Sequence, residues 1–351
     1  MEEIIDLIYH FRSEALWEVL ANNDIFAVQL APDRIGYVSI LGGGRQTYGL
    51  VLYKGEDGWN SLLRAQDWEE YSDGEDRFMT YMSSGFECLT FGSASDSKAP
   101  SSFKTMVRGR CKAMGYPING CFPSIYRKER YFYNKYLTTE EEMADLRTAL
   151  LCALSISQLI THVGLAKLGF YPGMGIVDQD TQRQVMPLVT PLEEGDEFRV
   201  SQIDVPLPGE DTLFDIPFND TKKIAKFRKM EGTFGIDCRL FPMDYSIQDN
   251  KNDTPYIPFM LFGVSSGDSF PIMYSQGKPD KEGLGKMLDE ISGILANDKP
   301  QVIRVDNRKT YSLLKDFCRK CGIRLAYTPK LEGLEEAVTL FRNMSKYMDD
   351  M

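Results

Sequence analysis

The stretch Gln301-Val302-Ile303-Arg304-Val305-Asp306-Asn307, followed by Lys309–Cys321, Gly322 and Ile323–Tyr327, decides the fold. Gln301–Val305 is short and β-branched, as a buried strand is. Lys309–Cys321 carries Leu313, Leu314, Phe317, Cys318 and Cys321 at helical spacing, and Gly322 stops it. Ile323–Tyr327 returns to strand composition. One strand–helix–strand unit therefore predicts an α/β domain.

Upstream of this unit, Cys238–Ile247, Tyr256–Val264 and Phe270–Ser275 read as three strands and Gly283–Leu295 as a helix. Downstream, a last helix is expected over Leu334–Met344. The predicted order of this half is three strands, helix, strand, helix, strand, helix.

The first half begins with an amphipathic helix over Met1–Leu20 and three strands, Ile25–Ala31, Ile35–Leu41 and Tyr48–Tyr53, set apart by turn clusters. A helix at Trp59–Arg64, a strand at Cys88–Phe91, helices at Phe103–Met114 and Glu140–His162, and a hairpin of Gln184–Thr190 with Glu197–Ile203 around Glu193-Glu194-Gly195-Asp196 follow. Val205–Asn219, with Pro206, Pro208 and Pro217, reads as a linker. The expected organisation is two mixed-sheet α/β domains, residues 1–204 and 220–351, joined by 205–219. Met106–Gly115 aligns with Leu313–Gly322 with a cysteine and a glycine in register. A diverged copy and chance agreement both account for that match.

The chain of 351 residues is 43% apolar and 26% charged, which excludes disordered, collagen-like and coiled-coil classes. Its formal charge of −11 divides unevenly, −14 before Thr221 and +3 from there on. The whole is thus unsuited to coating nucleic acid indiscriminately, but its second half is not. The apolar stretch around Ala149–Leu159 is broken by Ser155, Ser157 and Gln158, and Met1-Glu2-Glu3 is no cationic leader. The expectation is a cytoplasmic protein with no membrane segment. Seven scattered cysteines predict reduced, buried thiols rather than a disulfide framework.

Several motifs with a catalytic outline fail on chemistry. Gly263-Val264-Ser265-Ser266-Gly267 imitates a hydrolase elbow, but the two histidines, His10 and His162, both precede it. Gly285-Lys286 is followed by Met287 where a phosphate loop needs Ser or Thr. Cys318-Arg319-Lys320-Cys321 ends a helix, where the dipole opposes thiolate formation, and a second cysteine pair for zinc is absent. Gly42-Gly43-Gly44 reads as a hairpin turn.

Three acids stand out in the second half. Asp244 interrupts the apolar run Leu240–Tyr245, Asp306 ends a strand, and Glu336 lies on the terminal helix. Carboxylates so placed can converge to hold two magnesium ions for attack of water on a phosphodiester. Each also has a structural reading: an N-cap at Asp306-Asn307, a solvent-facing edge at Asp244, and a favourable helix start for Glu332, Glu335 and Glu336.

Val302–Asn307, Phe317–Ile323, Thr328-Pro329 and Gly333–Glu336 together resemble the segment of retroviral-type integrase cores that carries their second and third catalytic acids. The resemblance implies a ribonuclease-H-like fold, with Asp244, Asp306 and Glu336 as catalytic and metal-binding acids and magnesium as cofactor if they converge. Arg308 replaces the family's glycine after Asp-Asn, and Thr310-Tyr311 its acidic-aromatic pair, which points to a degenerate site. The complete chain also resembles two-domain bacterial proteins of unknown function, on Phe26-Ala27-Val28, Gly36–Ser39 and Lys54–Gly58.

The basic unit Arg304, Arg308, Lys309, Lys315, Arg319 and Lys320 is the expected nucleic-acid-binding surface, against the plainer reading of a solvated helix face. The favoured expectation is a non-enzymatic binding module. The alternatives are a magnesium-dependent nuclease or strand-transferase, and an adaptor whose acidic first domain docks a protein partner.

Overall fold

The computed structural model describes residues 2–45, 47–66, 77–95, 97, 99–137, 139–170, 184–192, 197–267 and 270–349. The turn expected at Glu193–Asp196 lies outside the described residues. The chain divides into two compact units, Met1–Gly209 and Glu210–Met351. Both are α/β, as the alternation of patterns predicts.

In the first unit the elements are α1 (Glu2–Glu14), β1 (Phe26–Ala31), β2 (Arg34–Leu41), β3 (Gly49–Lys54), α2 (Gly55–Gln66), α3 (Arg77–Met82), β4 (Phe86–Gly92), α4 (Ser101–Met114), β5 (Phe122–Lys128), β6 (Lys135–Tyr136), α5 (Glu140–Val163), α6 (Leu165–Leu168), β7 (Val185–Pro191) and β8 (Phe198–Asp204). The strands form one sheet in the order β6-β5-β4-β3-β2-β1-β7-β8, antiparallel except for β1 against β7. Alternation along the strands supplies two cores. Phe26, Val28, Val38, Ile40, Leu50 and Leu52 meet α1, α4 and α5 on one face, and Ala27, Tyr37, Val51 and Tyr53 meet Trp59 and Leu62 of α2 on the other.

Among the described residues α5 is the one helix long and apolar enough to cross a membrane. In this unit Leu146, Ala149, Leu150, Cys152, Ala153 and Ile156 of α5 are buried, and the helix packs on α1, β1 and β7. Thr139 and Glu142 close a reciprocal capping box at its start. The acidic first turn also anchors it to the sheet. Asp145 accepts hydrogen bonds from Arg34 (2.8 Å) and Lys54 (3.1 Å), and Glu142 pairs with Arg127.

The second unit contains α7 (Thr221–Lys229), β9 (Phe234–Pro242), β10 (Phe259–Ser265), β11 (Pro271–Gly277), α8 (Lys281–Leu295), β12 (Pro300–Val305), α9 (Arg308–Cys321), β13 (Arg324–Tyr327) and α10 (Glu332–Asp349). Its sheet runs β11-β10-β9-β12-β13. The first three strands are antiparallel, and β12 lies parallel to both β9 and β13. On one face Phe241, Met260, Phe262 and Val264 pack against Leu334, Ala337 and Val338 of α10. By strand alternation Ile236, Cys238 and Leu240 point to the other face, where α9 packs.

The stretch expected to be a linker is divided between the units. Trp59 Nε1 donates to Pro206 O at 2.9 Å and Gly209 N to Asn60 at 2.9 Å, which ties 205–209 to the first unit. Phe214, Ile216 and Phe218 are buried, with Phe214 on Phe259 and Phe218 on Phe317 of the second. The prolines suit an extended strap whose intervening apolar side chains fill a core.

The aligned helices of the two halves serve different connections. α4 leads from β4 to its antiparallel neighbour β5, whereas α9 joins the parallel pair β12 and β13. All seven cysteines are buried and unbridged. Burial pushes the Cys321 thiol up to about 11 and Cys318 higher still, so the paired cysteines of α9 are unreactive packing groups.

Candidate functional site

The chemistry-bearing residues of the second unit lie where β9 and β12 run side by side. Asp237-Cys238-Arg239 on β9 faces Arg304-Val305-Asp306, with Arg304 in register with Asp237. Parallel pairing of these two triplets sets each cation opposite an anion. Arg304 donates through Nε and Nη2 to the two oxygens of Asp237, both at 2.7 Å, and Ser266 Oγ donates to Asp237 at 2.6 Å. One step along, Arg239 donates to Asp306 through Nε at 3.0 Å and Nη2 at 2.5 Å.

Arg239 Nη2 also reaches Glu335 in the first turn of α10, at 2.5 Å. A guanidinium thus sits between the strand-end carboxylate and one from the helix packed on the sheet. The side chain of Asp306 is 5% exposed and that of Arg239 19%. Charge-assisted, two-pronged bonds of this kind fix both groups in position.

The three acids expected to converge are placed differently. Pro242 ends β9, since it offers no N–H to the ladder, and Asp244 lies beyond it, exposed in a bend rather than in the strand. Asp306 is where it was predicted, but Asn307 supplies the helix cap, accepting from Thr310 N at 2.8 Å, and Asp306 is left for Arg239. Glu336 is exposed, and its neighbour Glu335 is the acid that reaches the cluster. Among the described residues no group of three or more His, Cys, Asp or Glu side chains is arranged to share a metal ion. The partner that the structure gives Asp306 is the Arg239 guanidinium.

The expected basic surface is also rearranged. Arg304 lies on the sheet, paired to Asp237. Arg319 and Lys320 both bind Asp316, at 2.5 and 2.7 Å, and Lys320 further donates to Phe218 O at 2.9 Å. Burial works against ionisation of Asp316. The hydrogen bonds from Lys320, the Phe218 amide and Arg319 outweigh it and hold this carboxyl at about 2. Arg308 and Lys315 are exposed on α9, and Lys309 is half-buried.

A second source of positive charge escaped the sequence reading. α7 carries Lys222, Lys223, Lys226, Arg228 and Lys229 and no acidic residue. Asp220 caps it, Phe227 buries itself against Phe317 of α9 at 5.6 Å, and Lys299 Nζ donates to Phe227 O and Met230 O at its end. Arg228 Nε donates to Lys320 O at 2.9 Å, so α7 is fixed beside the C-terminal end of α9. Lys222, Lys226, Arg228 and Lys229 are exposed there together with Lys315 and Arg319. The signal was present as a run of lysines with Ile224 and Phe227 on one face. Reading the preceding prolines as a linker concealed it.

Residues 220–342 match a domain of unknown function (DUF6930), which spans the second unit from the cap of α7 into α10. Residues 2–97 match another domain of unknown function (DUF7309), from α1 to just beyond β4. No curated protein and no solved structure matches the chain. The chain is thus similar to two families, one in each unit, to which no activity is attached.

Proposed function

We propose that the second unit is a ribonuclease-H-like module that binds nucleic acid and does not cut it. Support for the fold comes from the element order and from a sheet in which β9 is central, antiparallel to β10 and parallel to β12. The observation that carries the functional reading is Arg239, held by Asp306 and Glu335 together. Its guanidinium neutralises Asp306, one of the three acids that metal-assisted hydrolysis would use as ligands, and with Glu335 the cluster becomes a strut between strand and helix.

The binding surface in this reading is the cationic face of α7 and α9. Exposed lysines and arginines on two packed helices match the spaced charges of a phosphate backbone and carry no base selectivity by themselves. Gel retardation of labelled single- and double-stranded oligonucleotides tests this. Binding at 50 mM salt is expected to weaken roughly a hundredfold at 200 mM for about four phosphate contacts. The double variant Lys222→Glu, Lys226→Glu is expected to abolish it. Absence of retardation at low salt, or full retention in the double variant, overturns the proposal and leaves a protein partner as the alternative.

A further inference from the structure

Thr328, just past β13, and the first turn of α10 form one wall of a cleft of about 410 Å³ whose other wall is the Asp237–Arg304 pair. This cleft is on the α10 side of the sheet, apart from the cationic face of α7 and α9, so a ligand in it is distinct from nucleic acid held on that face.

Arg304 is held ready. Its Nε and Nη2 are spent on Asp237, whose side chain is 7% exposed, while the arginine side chain is 37% exposed and keeps its Nη1 edge unused by that pair. Ser266 adds a third bond to the same carboxylate and fixes the pair from behind. A guanidinium immobilised in this way loses little freedom when an anion docks.

Lys330 brings a second cation to the cleft. Its partner Glu332 is 3.0 Å away, but both side chains are nearly four-fifths exposed, so this pair opens at little cost. Gly333 lines the wall without a side chain to cover the backbone, and the amides that begin the 18-residue α10 have no acceptor within the helix. Thr328 adds a hydroxyl. The cleft also holds two carboxylates, Asp237, which is neutralised by Arg304 and Ser266, and Glu332, which is exposed and can turn to solvent; the arginine, the lysine and the hydroxyl are the donors it offers to a tetrahedral anion.

We propose that this cleft binds a phosphate group, taken as free phosphate or as the phosphomonoester of a small ligand. The size of the cleft exceeds that of phosphate alone and falls within the range of small-molecule sites.

The test uses the full chain, titrated with inorganic phosphate, uridine 5′-monophosphate and uridine while the Arg304 Nε–H and Gly333 amide resonances are followed. Saturable shifts are expected with the first two and none with uridine. Tighter binding of the nucleotide assigns the ligand to phosphorylated small molecules, and equal binding assigns it to phosphate; both support the site. Lys330→Ala and Thr328→Val, exposed and half-buried changes, are each expected to weaken binding by about threefold to tenfold. Shifts that fail to saturate, or affinities unchanged in both variants, overturn the proposal. The variant Lys222→Glu, Lys226→Glu is expected to bind phosphate normally, which separates this site from the surface on α7.

Discussion

Arg239 on β9 and Asp306 at the end of β12 form a two-pronged ion pair, Nε to carboxylate at 3.0 Å and Nη2 at 2.5 Å, within a cluster that also takes in Glu335 of α10. It repeats, with the signs exchanged, the Asp237–Arg304 pair one step back along the same strands. Two neighbouring strands are thereby laced by opposed charges, and a helix is tied to them.

Removal of Arg239 should be costly and removal of Glu335 should not. Arg239→Met leaves Asp306, 5% exposed, without its cation, and is expected to destabilise the protein by about 3 kcal/mol. Glu335 has a side chain 62% exposed, so Glu335→Gln is expected to cost less than about 1 kcal/mol. Urea unfolding distinguishes them. Equal costs would mean that the surface arm of the cluster matters as much as the buried one.

Asp316 gives the second unit an acid-sensitive anchor for the strap that ends at Phe218. Its carboxyl is held near 2 by Lys320, the Phe218 amide and Arg319 against the opposing effect of burial. A depressed carboxyl contributes stability that is complete above the ordinary value of 3.8 and is lost as pH falls toward 2. Asp316→Asn is expected to lower stability at pH 7 by about 1 kcal/mol, with the difference from wild type vanishing near pH 2. A gap that persists at pH 2 would place its origin in packing.

In Lys128 burial disfavours the charged form instead. This residue is 2% exposed, donates to Met82 O at 2.8 Å and Ser84 O at 2.7 Å, and is held down to about 7 by burial and then by Arg130 and Arg64. The unfolded chain holds this proton up to the ordinary 10.5, so between about 7 and 10.5 it binds more protons than the folded one. Lys128 therefore adds stability as pH rises through that window and penalises folding below it. Its side-chain ¹³Cε resonance is expected to titrate near 7. A midpoint close to 10.5 would show that the two carbonyl bonds offset burial.

Asp145 serves the first unit as Arg239 serves the second. It gathers Arg34 and Lys54 under the start of α5 with only 3% of its side chain exposed. Asp145→Asn should cost about 3 kcal/mol in urea unfolding, and Glu141→Gln, at an exposed partner of Arg34, less than about 1 kcal/mol. Comparable losses would contradict a buried keystone.

Periodicity made most of the architecture legible. The helix expected over Lys309–Cys321 is found at Arg308–Cys321, and the strand expected over Gln301–Val305 at Pro300–Val305. The short elements α3, β6 and α6 have no counterpart in the sequence reading, nor do two with a mixed pattern: β5, where Pro123 and Ser124 break the apolar run, and α7, whose lysines hide a single buried face around Phe227. Within the site, Asp306 was identified but its partner was not. A strand start placed at Cys238 left Asp237 and the complementary order Asp-Cys-Arg and Arg-Val-Asp outside consideration. That complementarity was visible in the residues, and only parallel pairing of β9 with β12 gives it meaning.

Arg239 makes the Asp306 cluster a strut between β9, β12 and α10, in a module proposed to bind nucleic acid without hydrolysing it. Incubation of the full chain and of Asp306→Asn with labelled DNA and RNA in magnesium or manganese tests it most directly. Intact substrate is expected with both proteins. Metal-dependent cleavage by the wild type that disappears in Asp306→Asn would contradict it.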